Sequence, residues 1–108
     1  MAEHTLERLA VTIRQRRLDN TGNSYTRHLL EGGVARCAKK LGEEAIETVI
    51  AAVYQNDEAL RAEAADLLYH LIVVLEARDV ALADVLAVLE SRMGTSGLDE
   101  KAARKTGA

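Results

Sequence analysis

KKLGEEAIE, residues 39–47, sets two lysines just ahead of a pair of glutamates, with a third glutamate three positions on. Advancing 100° per residue from Glu43 puts Glu43, Glu44 and Glu47 at about 0°, 100° and 40° around a helix, with Lys40 near 60°. Ile46, Val49, Val53 and Ala38 gather on another side, so the stretch reads as an amphipathic helix with a solvated acidic face. Like charges at i,i+4 repel by about a few tenths of a kcal/mol. Something must compensate, either lysine neighbours and water or a bound cation.

Working outward, the whole chain reads as helical. It has 108 residues, 48% of them hydrophobic, yet no Phe, no Trp, no Pro and only three Tyr. A core must therefore be made of Leu, Val, Ile and Ala, and a chain rich in Ala, Leu, Glu and Arg without Pro favours an all-α fold. The apolar spacing of Leu6, Leu9, Ala10 and Ile13 predicts a helix over 5–17. LDNTGN, 18–23, is a loop, and Ser24 is a candidate N-cap for a short helix over 25–31. Gly32-Gly33 breaks it. The longest helix runs over about 34–54, Asn56 and Asp57 mark a turn, and a fourth helix covers about 58–78. A fifth runs over about 82–93 and stops at Gly94. The expected organisation is one domain over 1–94 with a mobile polar tail, 95–108.

The formal net charge of −3 argues against a general nucleic-acid binder. A single cysteine, Cys37, cannot form an internal disulfide and reads as a small packed residue. MAEHTLERLA lacks the long apolar segment of a signal peptide, and the longest apolar run, LIVVL at 71–75, is far short of a membrane span. A cytoplasmic protein with no nucleic-acid or membrane partner is expected.

The fourth helix is patterned differently from the third. Glu58 and Glu76 share one side, which reads as its wet face. Glu63 and Asp66 align instead with Ala59, Leu67, His70, Val73 and Val74. Carboxylates in such a stripe are costly unless paired or bound to a metal. Helices joined by a short turn pack antiparallel. Glu44 and Glu47 would then meet Glu63 and Asp66 at a similar height. Four converging carboxylates form a hard oxygen site suited to Mg²⁺ together with substrate phosphates, and Lys39 and Lys40 suit a polyphosphate. A solvated face remains the alternative, since charged helix faces are commonly just wet. A lone His70 on an apolar helix is more often a hydrogen-bonded core residue than a ligand.

EExxE followed by ExxD on the next helix, here Glu43-Glu44-x-x-Glu47 and Glu63-x-x-Asp66, resembles the MazG-like all-α nucleoside triphosphate pyrophosphatases. SYTRHLLEGG (24–33), AKKLGEEAIETVIAA (38–52), EAADLLYHLIVVL (63–75) and ALADVLAVLESRM (81–93) together resemble the phosphoribosyl-ATP pyrophosphatases of histidine biosynthesis. The similarity covers about residues 6–93. It implies an all-α bundle of four to five helices, and since the LIVVL segment and the apolar faces of two helices exceed what one small bundle can bury, a second subunit, a homodimer at least, is expected. It also implies Mg²⁺-dependent hydrolysis of the α–β phosphoanhydride of phosphoribosyl-ATP, giving phosphoribosyl-AMP and pyrophosphate.

By the same resemblance, Glu44, Glu47, Glu63 and Asp66 would ligate Mg²⁺. Glu43 or Glu47 would act as the base, and Lys39, Lys40, Ser24 and Tyr25 would contact substrate. Arg14, Arg16 and Arg17 either end the first helix in solvent or reach the substrate's extra phosphate. The chain departs from the family in lacking a proline before SYT. It also has Ala81 where a Ser or Thr would cap the last helix, which leaves Asp79 as a candidate cap. Two rivals stand beside this reading: a housekeeping nucleotide pyrophosphatase of the same superfamily, and a non-catalytic helical dimerisation module.

Overall fold

The computed structural model describes residues 2–19 and 24–94, and the expected tail, 95–108, lies outside them. Five helices follow in order: α1 (Ala2–Leu18), α2 (Tyr25–Glu31), α3 (Val34–Tyr54), α4 (Asp57–Ala77) and α5 (Leu82–Met93). No helix among the described residues is long and apolar enough to cross a membrane.

The helix starts follow local chemistry. Ser24 caps α2, its Oγ accepting from the Arg27 amide at 3.3 Å, and Asn56 caps α4, its Oδ1 accepting from the Ala59 amide at 2.9 Å. Each satisfies a backbone donor that the first turn leaves open. Asp57 and Glu58 then suit the positive end of α4. Between α2 and α3 the chain turns at Gly33, with φ 91° and ψ 171°, a region essentially reserved for glycine. The start of α5 differs, because Ala81 offers no side-chain cap. Asp79, at φ 56°, does not supply one. Its carboxylate instead accepts from Arg17 Nη1 at 3.0 Å. Gly94 ends α5 at φ −86°, so a left-handed cap is not what stops it.

The core is small. Ile13, Leu29, Cys37, Ile72 and Val73, drawn from α1 to α4, form its buried centre, flanked by Leu6, Leu9, Leu30, Tyr69 and Val74. Cys37 packs as expected, its thiol donating to the Leu29 carbonyl at 3.2 Å, and burial pushes its pKa up. Arg17 is exposed but engaged. Its Nη1 donates to the Glu76 carboxylate at 2.7 Å and to the Glu76 carbonyl at 2.9 Å, tying the end of α1 to the end of α4. Glu76 is therefore half-buried, not part of a wet face.

The largest departure from the sequence reading concerns α3. Its most extensive contact is with α4, and its buried residues are Cys37, Glu44 and Ala51. Glu44 is only 7% exposed, while Ile46, Val49 and Val53 on the other side are 63%, 62% and 63% exposed. Glu43 and Glu47 stay exposed, so the helix turns one carboxylate, Glu44, inward while its aliphatic stripe faces out.

Replacing Gly33 by Ala should destabilise the protein by about 1–3 kcal/mol, because a Cβ is strained at this backbone conformation. Urea unfolding measures it. An unchanged midpoint would show that the α2–α3 turn tolerates a side chain.

Candidate metal centre and substrate groove

The α3–α4 hairpin brings the acidic residues together because its antiparallel register sets Glu44 across from Glu63 and Asp66. Thr48 marks that register. Its hydroxyl, one turn after Glu44, shares its hydrogen between the Glu44 carbonyl at 2.8 Å and the Glu63 carbonyl at 3.2 Å. The two acid-bearing turns are thus joined by one side chain.

One carboxylate oxygen from each of Glu44, Glu63 and Asp66 lies within 4.8 Å of the others. Glu44 is buried, Glu63 half-buried and Asp66 exposed, so the cluster opens to solvent on the Asp66 side. Glu44 Oε2 has no hydrogen-bond partner, which is expensive for a buried carboxylate. Its Oε1 stands 4.0 Å from Lys40 Nζ. Burial first, and then Glu47 by hydrogen bond and charge, push the Glu44 pKa up. Burial also pushes Glu63 up, followed by the charges of Glu47 and Asp66. A cation bound between these oxygens would remove both penalties.

Each candidate has a definite place. Glu47 is outside the three-oxygen group but acts on Glu44 and Glu63. Glu43 is exposed, and its carboxylate accepts from Lys40 Nζ at 3.3 Å. That hydrogen bond is the chief reason the Lys40 pKa is raised. An open groove of about 340 Å³ lies beside Glu43 and is lined by Tyr25, Leu29, Arg36, Lys39, Lys40 and Glu43. Ser24 serves as the cap of α2 and thereby fixes the turn that presents Tyr25.

His70 is a bonded core residue, as its apolar setting suggests. It is 5% exposed, and its Nδ1–H donates to the Asp66 carbonyl at 2.8 Å. That leaves Nε2 bare to accept from the Tyr25 hydroxyl at 3.4 Å. The hydroxyls of Thr26 and Tyr69 are hydrogen-bonded to each other, and the Tyr25 and Tyr69 rings stack with centroids 6.4 Å apart. The SYT segment is thereby registered on the helix that carries Glu63 and Asp66. Thr48 and Arg36 went unnoticed in the sequence. Thr48 sits one turn after Glu44 with nothing else to distinguish it, and Arg36 is one basic residue among several.

A profile of the phosphoribosyl-ATP pyrophosphohydrolase family matches residues 6–93. A phosphoribosyl-ATP pyrophosphatase of Cereibacter sphaeroides is 56% identical over 99 residues, 92% of this chain and 96% of the relative. Phosphoribosyl-ATP pyrophosphatase 1 of Bradyrhizobium diazoefficiens is 55% identical over 106 residues, 97% of this chain and 99% of its own length. The Agrobacterium fabrum phosphoribosyl-ATP pyrophosphatase is 50% identical, covering 98% of this chain. This chain belongs to the phosphoribosyl-ATP pyrophosphohydrolase family.

Proposed function

We propose that the protein hydrolyses the α–β phosphoanhydride of phosphoribosyl-ATP to phosphoribosyl-AMP and pyrophosphate, the second step of histidine biosynthesis, with Mg²⁺ at the carboxylate cluster. Family membership supplies the reaction. The observation that most supports the metal is the buried, unpartnered Glu44 oxygen beside two further carboxylates.

The residues fit the ion. Mg²⁺ takes hard oxygen ligands at about 2.0–2.1 Å, and donor oxygens within 4.8 Å of one another can close around one centre. Glu44, Glu63 and Asp66 would hold it, with Glu47 as the fourth carboxylate of the set. When bound, the ion neutralises phosphate charge and polarises the phosphorus under attack. The chain's own residues do the rest. Lys39 and Lys40 line the groove and would stabilise charge on the leaving pyrophosphate. A carboxylate near the attacking water takes its proton. Glu43 is already engaged by Lys40, whereas Glu47 acts on Glu44 and Glu63, which favours Glu47 for that role. Tyr25 offers an aromatic face for the purine, with Ser24 holding its turn in place.

The working unit in this reading is a homodimer at least, and residues 1–94 are its catalytic domain. The outward stripe of Ile46, Val49 and Val53, with Leu89 and Met93 exposed on α5, supports this. So much apolar surface is rarely left in water, and a second copy would cover it symmetrically.

Phosphorus NMR of the purified protein with phosphoribosyl-ATP is expected to show pyrophosphate and phosphoribosyl-AMP only when Mg²⁺ is present. Asp66→Asn should lower turnover by at least about a hundredfold. Pyrophosphate released only from other nucleotides would move the chain to the housekeeping branch. No turnover of any nucleotide would contradict the enzyme reading.

The metal-free protein carries a second expectation. The Glu44 and Glu63 pKa values are raised above their ordinary 4.5. Their contribution to stability is therefore complete below about pH 4.5 and lost as pH climbs through the raised folded values. Glu44→Gln removes the buried carboxylate's part of it. Without metal, the melting temperature of Glu44→Gln relative to wild type should rise by a few degrees between about pH 4 and about pH 7. Mg²⁺ should raise the wild-type midpoint by mass action and leave the variant's little changed. A difference that stays constant with pH would contradict the burial of charge at Glu44.

A further inference from the structure

The proposed substrate carries one anionic group that the carboxylate cluster and Lys40 do not address. Besides its triphosphate, phosphoribosyl-ATP bears a phosphate monoester on its second ribose, across the purine. The arginines at the end of α1 were candidates for it, but Arg17 is held by Glu76 and Asp79.

Arg36 is better placed. It lines the groove with Lys39 and Lys40. Lys40 is engaged by Glu43, whereas Arg36 and Lys39 have no carboxylate partner among the described residues. Arg36 is nonetheless fixed in position. Its Nη2 donates to His28 Nε2 at 3.2 Å. Its stem crosses Gly32, where an added Cβ would stand 2.3 Å from Arg36 Cδ. Gly32 has ordinary helical backbone angles, φ −74° and ψ −10°, so its backbone does not require glycine. What the missing side chain provides is the path for Arg36.

A guanidinium fixed by an imidazole nitrogen, without a carboxylate partner, is a prepared contact for a phosphate. Along α3, Arg36 precedes Glu44 by eight residues, about 12 Å of helix axis. That matches the scale of two phosphates on opposite sides of a purine nucleoside.

We propose that Arg36, placed by Gly32 and His28, binds the phosphate monoester of the phosphoribosyl group, so that the groove selects a nucleotide phosphorylated at both ends. This subsite rests on the phosphoribosyl-ATP reading above and adds to it the residue that distinguishes the substrate from a plain nucleoside triphosphate.

The test is inhibition of phosphoribosyl-ATP hydrolysis by phosphoribosyl-AMP and by AMP, measured with Mg²⁺ on the full chain. Wild type, Arg36→Met and Gly32→Ala are compared. Wild type should bind phosphoribosyl-AMP more tightly than AMP. Arg36→Met should weaken phosphoribosyl-AMP by about tenfold to a hundredfold, the effect of losing a charged hydrogen bond, while AMP shifts by less than about threefold. KM for the substrate should rise in parallel, with the Mg²⁺ requirement unchanged. Gly32→Ala keeps the charge but displaces it, and should lose part of the same preference without loss of fold by circular dichroism. Equal weakening of both nucleotides, or weakening of neither, would overturn the subsite alone. A wild type that does not hydrolyse phosphoribosyl-ATP would overturn the parent reading and the subsite with it, and that result is visible before any variant is made.

Discussion

The rest of the structure depends on which face of α3 lies against α4. An amphipathic helix ordinarily buries its aliphatic side, but this one buries Glu44 and leaves Ile46, Val49 and Val53 in the open. Two consequences follow from that single orientation. A carboxylate held between helices, with one oxygen unpartnered, demands positive charge. An aliphatic stripe facing outward demands an apolar cover. The proposed cation and the proposed second subunit would be two responses to one packing choice. Thr48, bonded to backbone on both helices, sets the register that makes the choice specific.

The core of aliphatic residues is small, and a network of polar and aromatic contacts ties α2 to it. Tyr25 and Thr26 bond to His70 and Tyr69 on α4. His70 in turn bonds to the backbone of Asp66. The helix that forms one side of the groove is therefore registered, through side chains, on the helix that presents two of the carboxylates. Disturbing the SYT turn would move the groove relative to the cluster. On the opposite flank, Arg17 ties α1 to the end of α4 by three contacts, and this leaves it unavailable to a substrate.

Much of this was legible in the residues, and what was not has identifiable causes. Helix positions followed from apolar spacing and from Ser24, Asn56 and the Gly32-Gly33 pair, because caps and breakers act locally. Glu44, Glu63 and Asp66 were legible because their spacing repeats within a helical turn and the hairpin is short. That Glu44 meets Glu63 and Asp66 was legible, whereas its burial beside an exposed Glu43 and Glu47 was not. Periodicity gives two sides of a helix, and which of them is buried depends on partners that one sequence segment does not encode. The Arg17 clamp joins residues about sixty positions apart, and its geometry needs the backbone bend at Asp79. Gly32 looked like half of a breaker pair. Its second use, as a channel for the Arg36 stem, exists only once α2 and α3 are in place.

The most direct measurement is electron paramagnetic resonance of Mn²⁺, a hard oxygen-seeking stand-in for Mg²⁺, titrated with the purified protein in the absence of nucleotide. If the inward face of α3 exists to hold a cation, wild type should quench the signal of free Mn²⁺, Mg²⁺ should restore it by competition, and Glu44→Gln should quench far less. A free-ion signal that wild-type protein leaves untouched, or one that Glu44→Gln quenches equally well, would mean that Glu44 faces inward for some reason other than metal.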